Sequence, residues 1–91
     1  MATVRIPTPL RAFTGGQETV DVAGDTIEAV VSNLGAAHPD LKARICDAEG
    51  KVRRFINLYK NDEDVRALDG QATTVTADDI IAIVPAIAGG I

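Results

Sequence analysis

Nine consecutive residues without a charged side chain, Ile83-Val84-Pro85-Ala86-Ile87-Ala88-Gly89-Gly90-Ile91, carry the most specific chemical possibility in this chain. Glycine has no Cβ, so Gly89 and Gly90 can take almost any φ/ψ and thread a channel too narrow for other residues, with the small Ala88 directly before them. Extended, the six residues Pro85 to Gly90 span roughly 20 Å, enough to reach from a folded body into another protein's active site. Exposed apolar groups gain nothing from water, so an ending of this composition points to a use. The bland alternative is a frayed tail.

The other chemistry-bearing residues favour structural readings. Cys46 is the single cysteine, follows Ile45 and has no basic partner at useful spacing, which reads as an inert thiol in or near the core. His38, the single histidine, precedes Pro39 and has no second ligand or base to make a metal site or a triad. Asp62, Glu63 and Asp64 lack the spacing of a calcium loop and suit a solvated hairpin turn. Lys51, Arg53 and Arg54 form a basic cluster, either a docking patch for an acidic surface or a solvated face. Gly15-Gly16 reads as a turn, since no phosphate-binding motif follows.

These residues must be positioned by one domain. Ninety-one residues suffice to fold without disulfides or metal, and the expected division is a body over residues 1–84 and an extended tail over 85–91. A net charge of −4 argues against nucleic-acid and anionic-membrane partners, both of which need a basic excess. No signal peptide, transmembrane run or internal repeat is apparent, and one cysteine permits no internal disulfide, so a reducing cytoplasm is the expected setting.

Thr3-Val4-Arg5-Ile6 alternates polar and apolar and stops at Pro7, predicting a first strand with Val4 and Ile6 inward. Residues 7–16 read as a loop carrying Leu10 and Phe13, and Gln17 to Val22 as a second strand with Val20 and Val22 on the core side, forming a hairpin with the first. Asp25 is the expected helix cap, with Glu28 three residues on. Ile27, Val30, Val31 and Leu34 then make one apolar face of a helix that must stop before Pro39. Asp40 is expected to cap a short second turn in which Leu41 and Ile45 share a face, followed by a turn over residues 47–50. Phe55 to Tyr59 reads as a strand, residues 61–64 as turn chemistry into a short strand around Val65-Arg66, and residues 73–75 as a brief extended piece. Ile80 to Val84 has the composition of a buried strand, naturally paired with the first strand near the sheet's centre. Pro85 should end it.

That order of elements, with the Gly-Gly tail, resembles the ubiquitin-like β-grasp family. Within it the chain is similar to the prokaryotic sulfur carriers: the molybdopterin-synthase small subunit, the thiamine-thiazole sulfur carrier and, most closely, the cysteine-biosynthesis sulfur carrier. The residues that carry the likeness are Ile6-Pro7-Thr8, Thr14-Gly15-Gly16-Gln17, Gly24-Asp25-Thr26, Arg54-Phe55-Ile56-Asn57, Tyr59-Lys60-Asn61-Asp62-Glu63-Asp64-Val65-Arg66 and Pro85-Ala86-Ile87-Ala88-Gly89-Gly90. They are spread over the whole chain. The fold so implied is an α+β β-grasp: a mixed sheet of four or five strands packed on one main helix, with a flexible C-terminal tail.

The resemblance also implies a chemistry. A free carboxylate is a poor acyl donor, so a ubiquitin-activating-type adenylyltransferase and sulfurtransferase would adenylate it with ATP, and sulfide or a persulfide would displace AMP to leave a thiocarboxylate on Gly90. In the cysteine branch that group attacks an aminoacrylate held on pyridoxal phosphate in a cysteine synthase, and a zinc metallopeptidase releases the product. The carrier itself is then no enzyme and binds no cofactor; it supplies a tethered nucleophile at high effective concentration. Partners would grip the tail and the solvent side of the sheet, with Phe55 and Tyr59 as aromatic anchors.

One residue departs from the pattern. Ile91 covers the carboxylate of Gly90, so either a peptidase removes it or the chain does something else. Two other readings stand beside the carrier: a modifier joined to lysines by the same activation chemistry, and a plain interaction module.

Overall fold

The computed structural model describes residues 1–85. Five strands and two α-helices follow one another as β1 (Ala2–Arg5), β2 (Thr19–Val22), α1 (Ile27–Ala37), α2 (Pro39–Ile45), β3 (Ile56–Lys60), β4 (Glu63–Asp64) and β5 (Ile80–Pro85). They build one mixed sheet in the order β2-β1-β5-β3-β4. The last strand therefore lies in the middle, parallel to β1 and antiparallel to β3.

Period-two alternation decides which face is dry. Ala2 and Val4 on β1, Val22 on β2, Ile56 and Leu58 on β3, and Ile81 and Ile83 on β5 are all buried. Against them packs α1 through Ile27, Val30, Val31 and Leu34, the predicted face, all buried. Leu41 and Ile45 of α2 complete the core. The expected short turn there is a regular helix. Pro39 is its first residue and His38 its cap, because a proline at that position needs no N–H and presets φ; Asp40 does not cap it.

Other boundaries also move. Thr26, and not Asp25, caps α1, its hydroxyl accepting from the Ala29 N–H at 3.2 Å. Its backbone is extended, as a cap requires, and pairs with Thr74 in an isolated bridge, which is the extended piece expected at residues 73–75. The loop after Pro7 is wound into a 3-10 helix, Thr8–Thr14, closed by a left-handed Gly15. That turn carries Leu10 and Phe13 onto the core edge. The short strand expected at Val65-Arg66 falls at Glu63–Asp64, and Val65–Ala67 is a 3-10 turn that buries Val65.

Gly24 marks a tight passage. It enters α1 with φ of +151°, and an ideal Cβ there would lie 2.7 Å from the backbone nitrogen of Val30. Gly15 has φ of +67° but open space around it. Gly15→Ala should therefore cost about 1 kcal/mol of backbone strain, and Gly24→Ala at least twice that, because backbone must move as well. Equal losses in chemical denaturation would show that the approach to Val30 is not a constraint.

Candidate functional site

The tail-bearing strand is held on both sides. Thr3, Val4 and Arg5 pair with Ile80, Ile81 and Ala82, while the run from Lys60 back to Ile56 pairs with Ile81 through Pro85. Pro85 is thus the last residue of β5, opposite Ile56. Beyond Ala82 the β1 side of β5 has no ladder partner, since Ile6-Pro7 turns away, and a cleft of about 410 Å3 opens there beside Arg5, Arg11 and Val84. Arg11 is fixed in it by donating Nε–H to the Ile6 carbonyl at 3.0 Å and by an ion pair of 3.8 Å with Glu18. Ala88, Gly89, Gly90 and Ile91, the predicted working end, lie outside the described residues.

The expected hairpin turn over residues 61–64 is present, with Asp62 and Glu63 exposed, and its first residue also fixes the start of β5. Asn61 and Asp62 both have positive φ, 49° and 75°, as a two-residue hairpin between β3 and β4 requires. With its backbone so placed, Asn61 donates Nδ2–H to Asp79 Oδ1 at 2.8 Å and accepts the Ile80 N–H at 2.9 Å. Asp79 also accepts the Thr76 N–H at 2.8 Å and stands 3.6 Å from Lys60, whose ammonium donates to the Thr74 carbonyl at 2.8 Å. The Thr76 N–H first, and then Asn61, hold the Asp79 carboxyl below the ordinary aspartate range. In sequence Asp79 reads only as part of the turn, residues 77–79, that leads into the last strand. The signal was an Asp one residue before an apolar strand, with an Asn-Asp turn elsewhere to receive it.

The outer face of the sheet is partly apolar and open to solvent. Ile80 and Val84 of β5 are 44% and 41% exposed, and Phe55 is 51% exposed. Phe55 stands in the turn before β3, not in the strand as expected, because the ladder begins at Ile56. Tyr59, on the outward side of β3 beside Ala82, is half-buried. Arg66 crosses the sheet's edge here, bonded to Asn57 and bidentate to Asp64 at 2.9 and 3.2 Å. Those Arg66 bonds hold the Asp64 carboxyl low.

The remaining candidates are structural. Cys46 is 2% exposed, and burial pushes its thiol up, away from the reactive thiolate. His38 spends its backbone between two helices, as C-cap of α1 and N-cap of α2. Lys51, Arg53 and Arg54 stay together along the segment before β3. No group of three or more His, Cys, Asp or Glu among the described residues is placed to hold a metal.

A mixed β-grasp sheet with its last strand central, followed in sequence by a Gly-Gly pair, defines the ubiquitin-like carrier class. The chain belongs to the ThiS family, whose model matches residues 4–90. It is 49% identical over 90 residues to the sulfur carrier protein CysO of Mycobacterium tuberculosis, covering 97% of each chain. It also resembles a chain of the Amycolatopsis orientalis BexX/CysO complex, with 43% identity and a TM-score of 0.89 over 99% of this chain and 100% of that one. Small archaeal modifier protein 3 of Haloferax volcanii is 34% identical over 65 residues, covering 71% of this chain and 70% of that protein.

If the Asp79 corner fixes β5, Asp79→Asn should lower stability at pH 7 by about 2 kcal/mol, the scale of hydrogen bonds to a charged group. The folded carboxyl titrates below the ordinary value of 3.8, so its contribution is present above that value and is lost as pH falls through the folded one. The gap between wild type and variant should therefore narrow below about pH 4. A gap independent of pH would contradict this role.

Proposed function

We propose that this chain carries sulfur as a thiocarboxylate on Gly90 for the synthesis of cysteine or a related sulfur metabolite. The observation that carries the reading is that the central strand β5 is the element that precedes Ala86 to Gly90 in sequence, in a chain 49% identical over 97% of its length to a protein named a sulfur carrier. A strand supported on both sides lets a partner pull on the tail without unravelling the body.

The bond between Gly90 and Ile91 is first hydrolysed, freeing the Gly90 carboxylate. That carboxylate attacks the α-phosphate of ATP in an activating partner of the adenylyltransferase type, and pyrophosphate leaves. Sulfide, or a persulfide sulfur whose S–S bond is then reduced by thiols, attacks the acyl carbon and AMP leaves. The resulting sulfur is a soft nucleophile on a tether of roughly 20 Å, delivered to a synthase that uses pyridoxal phosphate, with a zinc peptidase to release the product. This chain's own part is to present the tail, exclude side reactions by entering a narrow channel, and dock.

Ile91 fits poorly in that channel. It is branched at Cβ and stiff, whereas a site shaped for glycine leaves no room for a side chain. The docking face is assigned to the outer sheet, where Tyr59 and Phe55 flank Val84 on the strand that leads into the tail. The same face carries Arg5 next to Ala82, so partner carboxylates find a cation there.

With the activating enzyme of the same host, the chain ending at Gly90 should be adenylated and the full-length chain should not. Gly90→Ala in that shortened chain should slow the reaction about tenfold or more, since the added methyl meets the channel wall. Equal rates for the two lengths would place the acyl group on Ile91 and remove the need for processing. Tyr59→Ala should slow adenylation of the shortened chain as well; an unchanged rate places docking on another face.

A further inference from the structure

Away from the outer face, between the segment Lys51 to Arg54, the inward side of β3 and the turns after β4, lies a cleft of about 280 Å3. Its floor is dry. Ile56, Leu58 and Val65 are each 4–6% exposed, and Ile27, at the first turn of α1, is fully buried.

Its rim is cationic. Lys51, Arg53, Arg54 and Arg66 line it, and no carboxylate does. These are four of the nine lysines and arginines in a chain whose net charge is −4. Arg66 is engaged by Asp64 at 2.9 Å. Lys51, Arg53 and Arg54 form no ion pair among the described residues; the Arg53 guanidinium meets only the Ala43 carbonyl, at 3.4 Å. Asp64 offsets Arg66, and the carboxylate of Asp47 accepts the Lys51 backbone N–H at 3.0 Å; the three remaining cations still raise the local potential, and an anion bound among them lowers it.

Both halves of the cleft must be used at once. An inorganic anion would satisfy the rim and leave the apolar floor in water; an uncharged hydrocarbon would do the reverse. A carboxylate on an apolar body satisfies both. At roughly 30 Å3 for each water-sized group, the space holds about nine such groups. It sits near the low end of small-molecule sites, which run from about 300 Å3 upward.

We infer that this cleft binds a small free carboxylic acid with a short hydrocarbon body, its carboxylate held at Lys51, Arg53 and Arg54 and its chain laid on Ile56, Leu58 and Val65. The inference is independent of the sulfur-carrier reading. It gives a small β-grasp domain a means of sensing an amphipathic metabolite at a surface distinct from the outer sheet. Ile56 is the partner of Pro85 in the ladder, so a molecule in the cleft lies beside the last described residue of β5.

The test is a titration of the full chain followed by its backbone amide resonances, with octanoate as the probe, 1-octanol as its uncharged counterpart and acetate as the head group alone. Octanoate should give saturable shifts confined to amides of Val52, Arg54, Ile56, Leu58 and Val65, with octanol and acetate each about tenfold weaker or more. Lys51→Ala/Arg54→Ala, which alters two exposed side chains and should leave the melting temperature unchanged, should weaken octanoate by a similar factor. Scattered or unsaturable shifts, equal binding of octanol, or an unaffected double variant would overturn the inference. So would tighter octanoate binding by a chain shortened after Pro85 together with changed resonances at the same residues, for the occupant would then be the chain's own tail.

Discussion

The pairing of the last strand between the first and the third is the constraint on which the rest of this molecule depends. A strand in the centre of a sheet satisfies its ladder on both sides and buries its inward side chains, here Ile81 and Ile83, against a helix. Placing the final strand there means that the segment after Pro85 is anchored by the best-supported element in the fold. Parallel pairing of β1 with β5 has a second effect. Both strands run toward the same edge, so the turn after β1 and the exit of β5 share a cleft, with Arg5 and Arg11 beside Val84.

The polar corner at the opposite end makes that placement specific. A hydrophobic strand alone can slip, since shifting by one residue costs little where both faces carry apolar groups, and Ile80, Ile81, Ala82, Ile83 and Val84 offer apolar groups to both. Asn61 and Asp79 remove that freedom. The Ile80 N–H, the Asn61 amide and the Asp79 carboxylate can all be satisfied in one register only, and the left-handed backbone of Asn61 and Asp62 aims the amide. The run of acids at residues 62–64 is accordingly a hairpin whose third acid, Asp64, clamps Arg66.

The β-grasp order was legible because each element carries its own period: alternation in β1 and β2, the four-residue face in α1, an unbroken apolar run in β5. Boundaries were less legible. Asp25 and Thr26 are equally good caps, and the choice falls to the pairing of Thr26 with Thr74, a contact between residues far apart in the chain. The 3-10 helix after Pro7 spans too few residues to show a period. Helix α1 contains Gly35, a residue that weakens helices, because a Cβ there would collide with the stem of Lys42 on α2; only the packed pair shows why. Of the site, the Gly-Gly segment was visible in the sequence, but the cleft beside Val84 was not, since its walls come from opposite ends of the chain.

The central claim is that sulfur rides on Gly90. The most direct measurement is intact-protein mass spectrometry on material isolated from the native host under sulfur demand. The account predicts a species that ends at Gly90 and is heavier than the free acid by the difference between one sulfur and one oxygen, a difference that thiol-reactive alkylation shifts further. A population that retains Ile91 throughout and carries no sulfur beyond its Cys46 and Met1, or a ladder of conjugates to other proteins, would contradict it.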